Sequence, residues 1–100
     1  MSVPSTPLFG MQIVVAATPA KVGATGARKL WRVVLFGGSA ASSVEFKNAA
    51  SDTGSVLFSV NVPIGNTIDI DLTSVGGIPF DTAIFCKPAG TAAICHVWFD

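Results

Sequence analysis

Charge is scarce in this chain. Only 12 of its 100 residues are Asp, Glu, Lys or Arg, six of each sign, so the formal net charge is zero. None of them falls between Thr53 and Ile68 or between Pro88 and Phe99. With no basic excess there is little to neutralise phosphates, which argues against a nucleic-acid partner. Tyrosine is absent and histidine occurs once, at position 96. Long hydrophobic runs are missing too. The longest wholly apolar run near the start is Ile13–Ala17, far short of the roughly 20 residues a membrane-spanning helix needs. Leu8–Ala17 does not read as a leader either. No Lys or Arg precedes it, Gln12 interrupts it and Pro4 and Pro7 stand in front. Two cysteines, Cys86 and Cys95, are too few for a disulfide-built secreted scaffold.

Helical periodicity is also lacking. No stretch of 11 or more residues repeats apolar positions at i, i+3, i+4 and i+7 with polar residues between. Val, Ile, Thr, Phe and Gly dominate instead, in short runs between Gly, Pro, Asn, Asp and Ser clusters. That pattern predicts an all-β fold, a two-sheet, jelly-roll-like sandwich with about seven to eight strands, for which jelly-roll and immunoglobulin-like strand pairings both fit. The expected strands are Met11–Thr18, Arg28–Phe36, Ser43–Lys47, Ser55–Val62, Thr67–Leu72, Thr82–Lys87 and Thr91–Phe99. Residues 19–27 and 75–80 read as loops, the second able to tuck Ile78 and Phe80 inward. Residues 11–100 form one domain, and residues 1–10 an extended arm. Within that arm the uncharged segment Ser2, Val3, Pro4, Ser5, Thr6, Pro7 cannot build a core by itself. It is expected to lie on a partner.

Half of the residues are hydrophobic, and a domain this small buries only about 60–65% of its unfolded surface. Period-two alternation shows where the surplus goes. Strand Thr67–Leu72 alternates cleanly, with Ile68, Ile70 and Leu72 inward and Asp69 and Asp71 outward. Strand Arg28–Phe36 does not. With Trp31, Val33 and Leu35 inward, its other face carries Leu30, Val34 and Phe36 beside Arg32. The same reading turns Leu57, Phe85, Ile94 and Trp98 outward, and Val56, Phe58, Val60 and Val62 inward. The seven outward apolar residues, Leu30, Val34, Phe36, Leu57, Phe85, Ile94 and Trp98, are the expected subunit interface.

No cluster spells out a reaction, and an enzyme is not expected. On one strand Cys95 and His96 point to opposite faces, so they cannot form a nucleophile–base pair. Two cysteines and one histidine divided between faces fall short of a zinc site, and no cofactor is implied. Cys86 and Cys95 bracket a Lys-Pro-Ala-Gly-Thr hairpin and are expected on one face; if they are cross-strand neighbours a disulfide is open to them, with two buried thiols the favoured reading. Asp69 and Asp71 share a strand face as solvated acids. Gly23–Lys29 lacks the Gly-Lys-Ser/Thr ending of a phosphate loop.

Several phrases carry a resemblance. They are Trp31-Arg32-Val33-Val34, Asp52-Thr53-Gly54, Ile68-Asp69-Ile70-Asp71-Leu72, Gly76-Gly77-Ile78-Pro79-Phe80 and Gly90-Thr91-Ala92-Ala93-Ile94. From Arg28 to Asp100 the chain resembles small bacteriophage virion structural proteins. The resemblance implies a β-sandwich or jelly-roll module that decorates or cements a capsid, often as a homotrimer. The implied partners are its own copies and the major capsid protein or another virion protein, and the implied location is the virion. The class brings no catalytic residues. The alternative is a tail- or fibre-associated module that binds a receptor glycan, with Trp98 or Phe80 as a stacking platform.

Overall fold

Two antiparallel sheets face each other in the computed structural model, which describes residues 10–100. The expected arm, Ser2–Pro7, lies outside the described residues. The strands are β1 (Gly10–Val15), β2 (Ala20–Val22), β3 (Arg28–Phe36), β4 (Ser42–Asn48), β5 (Val56–Val62), β6 (Thr67–Asp71), β7 (Ile78–Phe80), β8 (Ile84–Ala89) and β9 (Ile94–Phe99). A single 3-10 turn, Thr73–Val75, separates β6 from β7. One sheet has the order β1-β9-β3-β6, with β7 paired to the free end of β3; the other has the order β2-β8-β4-β5. Successive strands mostly change sheet. This is the double Greek key of a jelly roll.

The core lies between the sheets and is almost entirely apolar. Val14, Leu35 and Val97 from the first sheet meet Val44, Phe46, Val60 and Ile84 from the second. Full burial of each such side chain contributes about 1.5–3 kcal/mol. Phe80 closes one end of this core, as the sequence predicts, with Ile78 packed against it.

Two short strands, β2 and β7, replace predicted loops. Three residues are too few to show alternation, and Pro79 sits within β7. The proline is tolerated because β7 pairs on one side only, with β3. Pro88 likewise lies inside β8 rather than in a turn. There β8 pairs only with β4, since β2 ends its pairing at Cys86.

Two β-bulges break the alternation. In the β3–β9 pairing, Leu30 opposes Phe99 and Arg32 opposes Trp98, so Trp31 is the additional residue. Its carbonyl accepts the Leu72 N–H at 2.8 Å. The bulge shifts the phase of β3 by one. Leu30 therefore points into the core and is fully buried, while Trp31 is only half-buried. This overturns the expectation that Leu30 faces outward and Trp31 inward. Gly77, at φ +78°, closes over the bulge, and a Cβ there would stand 3.2 Å from the Trp31 ring. In the β4–β5 pairing, Phe46 opposes Phe58 and Lys47 opposes Val56, which makes Leu57 the additional residue. Val56 is thereby turned to solvent, not inward as predicted.

Cys86 and Cys95 are not cross-strand neighbours. Their strands are consecutive but belong to opposite sheets, so the two thiols look at each other across the core. Both are free and buried. A hydrogen bond with Cys95, followed by burial, pushes the Cys86 thiol well above the ordinary range.

Candidate interaction face

The outer face of the β1-β9-β3-β6 sheet is a regular lattice set by strand register. Met11, Trp98, Arg32 and Asp71 form one row across it. Ile13, His96, Val34 and Asp69 form the next, and Val15, Ile94, Phe36 and Thr67 the third. Directly opposed Cβ atoms in such rows stand about 5 Å apart, so the side chains make one continuous surface. Its β1, β9 and β3 columns are apolar around a central histidine, except for Arg32 on β3. Its β6 margin is polar.

Register brings together four of the seven expected interface residues, Val34, Phe36, Ile94 and Trp98. It does not bring the other three. Leu30 is buried by the bulge. Phe85 points away from the core on β8, but only 8% of it is exposed. It is flanked in register by Lys21 and Lys47, residues whose long aliphatic stems suit such a neighbour. Leu57 is 46% exposed, yet it belongs to an edge strand of the other sheet. Three residues of the lattice were not singled out from sequence, Met11, Ile13 and Val15. They are 49%, 52% and 38% exposed. Their signal was strict alternation with Gln12 and the buried Val14; what sequence could not supply was the pairing of β1 with β9.

The polar margin is held in place. Arg32 Nε donates to Asp69 Oδ1 at 2.9 Å and its Nη2 donates to Oδ2. Its guanidinium also lies 5.0 Å from the centre of the Trp98 ring, a cation–π contact. Asp71 accepts from the Thr73 hydroxyl at 2.6 Å and from the Thr73 N–H at 2.9 Å. These donors hold Asp69 and Asp71 below the usual carboxylate range. His96 stands edge-on to Phe36, with ring centroids 5.0 Å apart, and its ring lies 6.3 Å from that of Trp98.

The outer face of the second sheet differs in kind. Lys47 and Lys87 both reach Asp52, at 2.6 and 2.9 Å, and Glu45 opposes Lys87. With Ser43, Ser59 and Asn61 on the same side, this face suits water. The back thus carries mostly charged and polar side chains, with Val56 and Leu57 exposed at its β5 edge, whereas the front is largely apolar up to its Arg32 and β6 margin. Among the described residues no three His, Cys, Asp or Glu side chains cluster as metal ligands would, and no helix is long and apolar enough to cross a membrane. A small recess at a corner of the front is lined by Trp31, Arg32, Asp71, Thr73 and Trp98. Comparison with protein-family models, with curated proteins and with solved structures finds no match.

Proposed function

We propose that this chain is a virion structural protein, a capsid decoration or cement subunit. It self-associates, as a homotrimer, through the front of its β1-β9-β3-β6 sheet and clamps neighbouring capsid subunits. The observation that carries the reading is the continuous apolar lattice of Met11, Ile13, Val15, Ile94, Phe36, Val34 and Trp98 on one sheet face. A patch of this kind marks an interaction surface. The jelly-roll topology supports the reading, as does the resemblance of Arg28–Asp100 to phage virion proteins, from which the trimer is taken. The arm at Ser2–Pro7 is assigned to the shell, on the major capsid protein. The role is passive and needs no acid, base or nucleophile.

Magnitudes favour an assembly that is weak in pairs and firm on a shell. Seven side chains, five of them 37–52% exposed and Val34 and Trp98 less, would contribute on the order of 1 kcal/mol or less apiece when covered. That sum is comparable to the roughly 4–15 kcal/mol that association costs. Many copies on one particle would hold through multivalency. The test is light scattering coupled to size exclusion over a concentration series. The wild type is expected to approach three chains with rising concentration, and Ile13→Glu with Ile94→Glu to stay at one. A wild type that remains monomeric at the highest concentration overturns the reading. Cryo-electron microscopy of the native particle would then place the copies.

A second reading is favoured by the corner recess. Two tryptophans beside Arg32, Asp71 and Thr73 could stack and hydrogen-bond a sugar ring, as a tail- or fibre-borne glycan binder would. Binding on a glycan array that is lost in Trp98→Ala supports this alternative, and a blank array removes it.

A further inference from the structure

We infer that His96 makes the front of this sheet an acid-released interface, closed while the imidazole is neutral and opened when it is protonated. The inference rests on the self-association reading above and adds its regulation. His96 occupies the centre of the lattice. Along β9 it lies between Ile94 and Trp98, and across the sheet it opposes Ile13 on β1 and Val34 on β3. Its ring and that of Phe36 stand at 61° to each other with centroids 5.0 Å apart. A neutral imidazole suits such surroundings. An imidazolium covered by a second copy must give up its water, and it must find a counter-charge or leave.

Among the described residues, the neighbouring elements supply no free counter-charge. β1 presents only Met11, Ile13 and Val15 to this face, and β9 itself adds none. β3 contributes Arg32, one row away and of the wrong sign. β6 contributes Asp69 in the same row as His96 and Asp71 in the next. Asp69 stands two strands off, about 10 Å by strand spacing, and is already gripped by Arg32. Asp71 is engaged by Thr73. No Lys, Arg, Asp or Glu occurs in residues 1–9. In a symmetric assembly every copy also brings its own His96 to an equivalent position, so protonation adds like charges. Histidine is the side chain that makes this change between neutral and mildly acidic pH.

Sedimentation velocity at about pH 8 and about pH 5 tests this on the wild type and on His96→Gln, which is polar but does not titrate. The wild type is expected to be oligomeric at the higher pH and to dissociate at the lower, with apparent affinity down at least about tenfold. His96→Gln should be oligomeric at both. Asp52, Asp69 and Asp71 sit below the ordinary carboxylate range and stay charged throughout, and far-ultraviolet circular dichroism should report an unchanged fold. Equal oligomerisation of the wild type at both values overturns the inference and leaves self-association standing. So does acid dissociation that persists in His96→Gln. A wild type that is monomeric at the higher pH overturns self-association itself, and this inference with it.

Discussion

Arg32 grips Asp69 at two points across the β3–β6 edge, while its guanidinium covers the Trp98 ring at 5.0 Å. The pair marks where the apolar front ends and its polar margin begins. It also decides how the fold responds to acid. Hydrogen bonds hold the folded carboxylates of Asp52, Asp69 and Asp71 below their unfolded value, which is about 3.9. The unfolded chain therefore binds more protons at low pH. The stabilisation is complete above the unfolded value and is lost as pH falls through the folded ones. Thermal midpoints measured on dilute monomer should be flat down to about pH 5 and should fall below about pH 4. Asp69→Asn should give a shallower fall. A midpoint that rises on acidification would contradict the assigned ion pairs.

The Trp31 bulge predicts which apolar residue of β3 carries stability. Leu30→Ala should cost about 2–5 kcal/mol, as a buried leucine does, and Val34→Ala less than about 1 kcal/mol in the monomer. Urea unfolding of both variants decides between the bulged strand and an unbroken one, which would reverse the order.

At Gly38 a side chain has no room. A Cβ there would run into the backbone carbonyl of Thr91 on the neighbouring loop, and backbone cannot move aside cheaply. Gly38→Ala should lose about 1–3 kcal/mol by chemical denaturation. Gly65→Ala, where open space surrounds the position but φ is +73°, should lose about 1 kcal/mol from backbone strain alone.

The paired thiols should be silent in the folded protein. Burial and the Cys86–Cys95 hydrogen bond keep Cys86 protonated, and the thiolate is the reactive form. Iodoacetamide at about pH 8 should add nothing to the native mass and two groups once denaturant is present. Rapid native labelling of either cysteine would show that the core opens there.

Exposure alone does not define the interface. Leu57 is nearly as exposed as Ile13, but it projects from a bulge on the edge of the other sheet. Leu57→Glu should leave self-association unchanged, whereas Ile13→Glu should abolish it. Light scattering on the two variants side by side checks this, and equal loss in both would move the interface to β5.

That this is an all-β sandwich follows from the residue order alone, because apolar alternation in short runs between turn residues has no helical solution. The same order placed β3 at Arg28–Phe36 and turned Val34, Phe36, Ile94, His96 and Trp98 away from the core. Which strands adjoin is visible only in the folded chain. That pairing put Met11, Ile13 and Val15 beside β9, drew Leu30 inward and sent Cys86 and Cys95 to opposite sheets. The reason is physical. Alternation is a local property of each strand, whereas register and bulges depend on hydrogen bonds to partners far away in the chain. A single inserted residue reverses every side chain on one side of it, and nothing in the strand's own composition announces where that insertion falls.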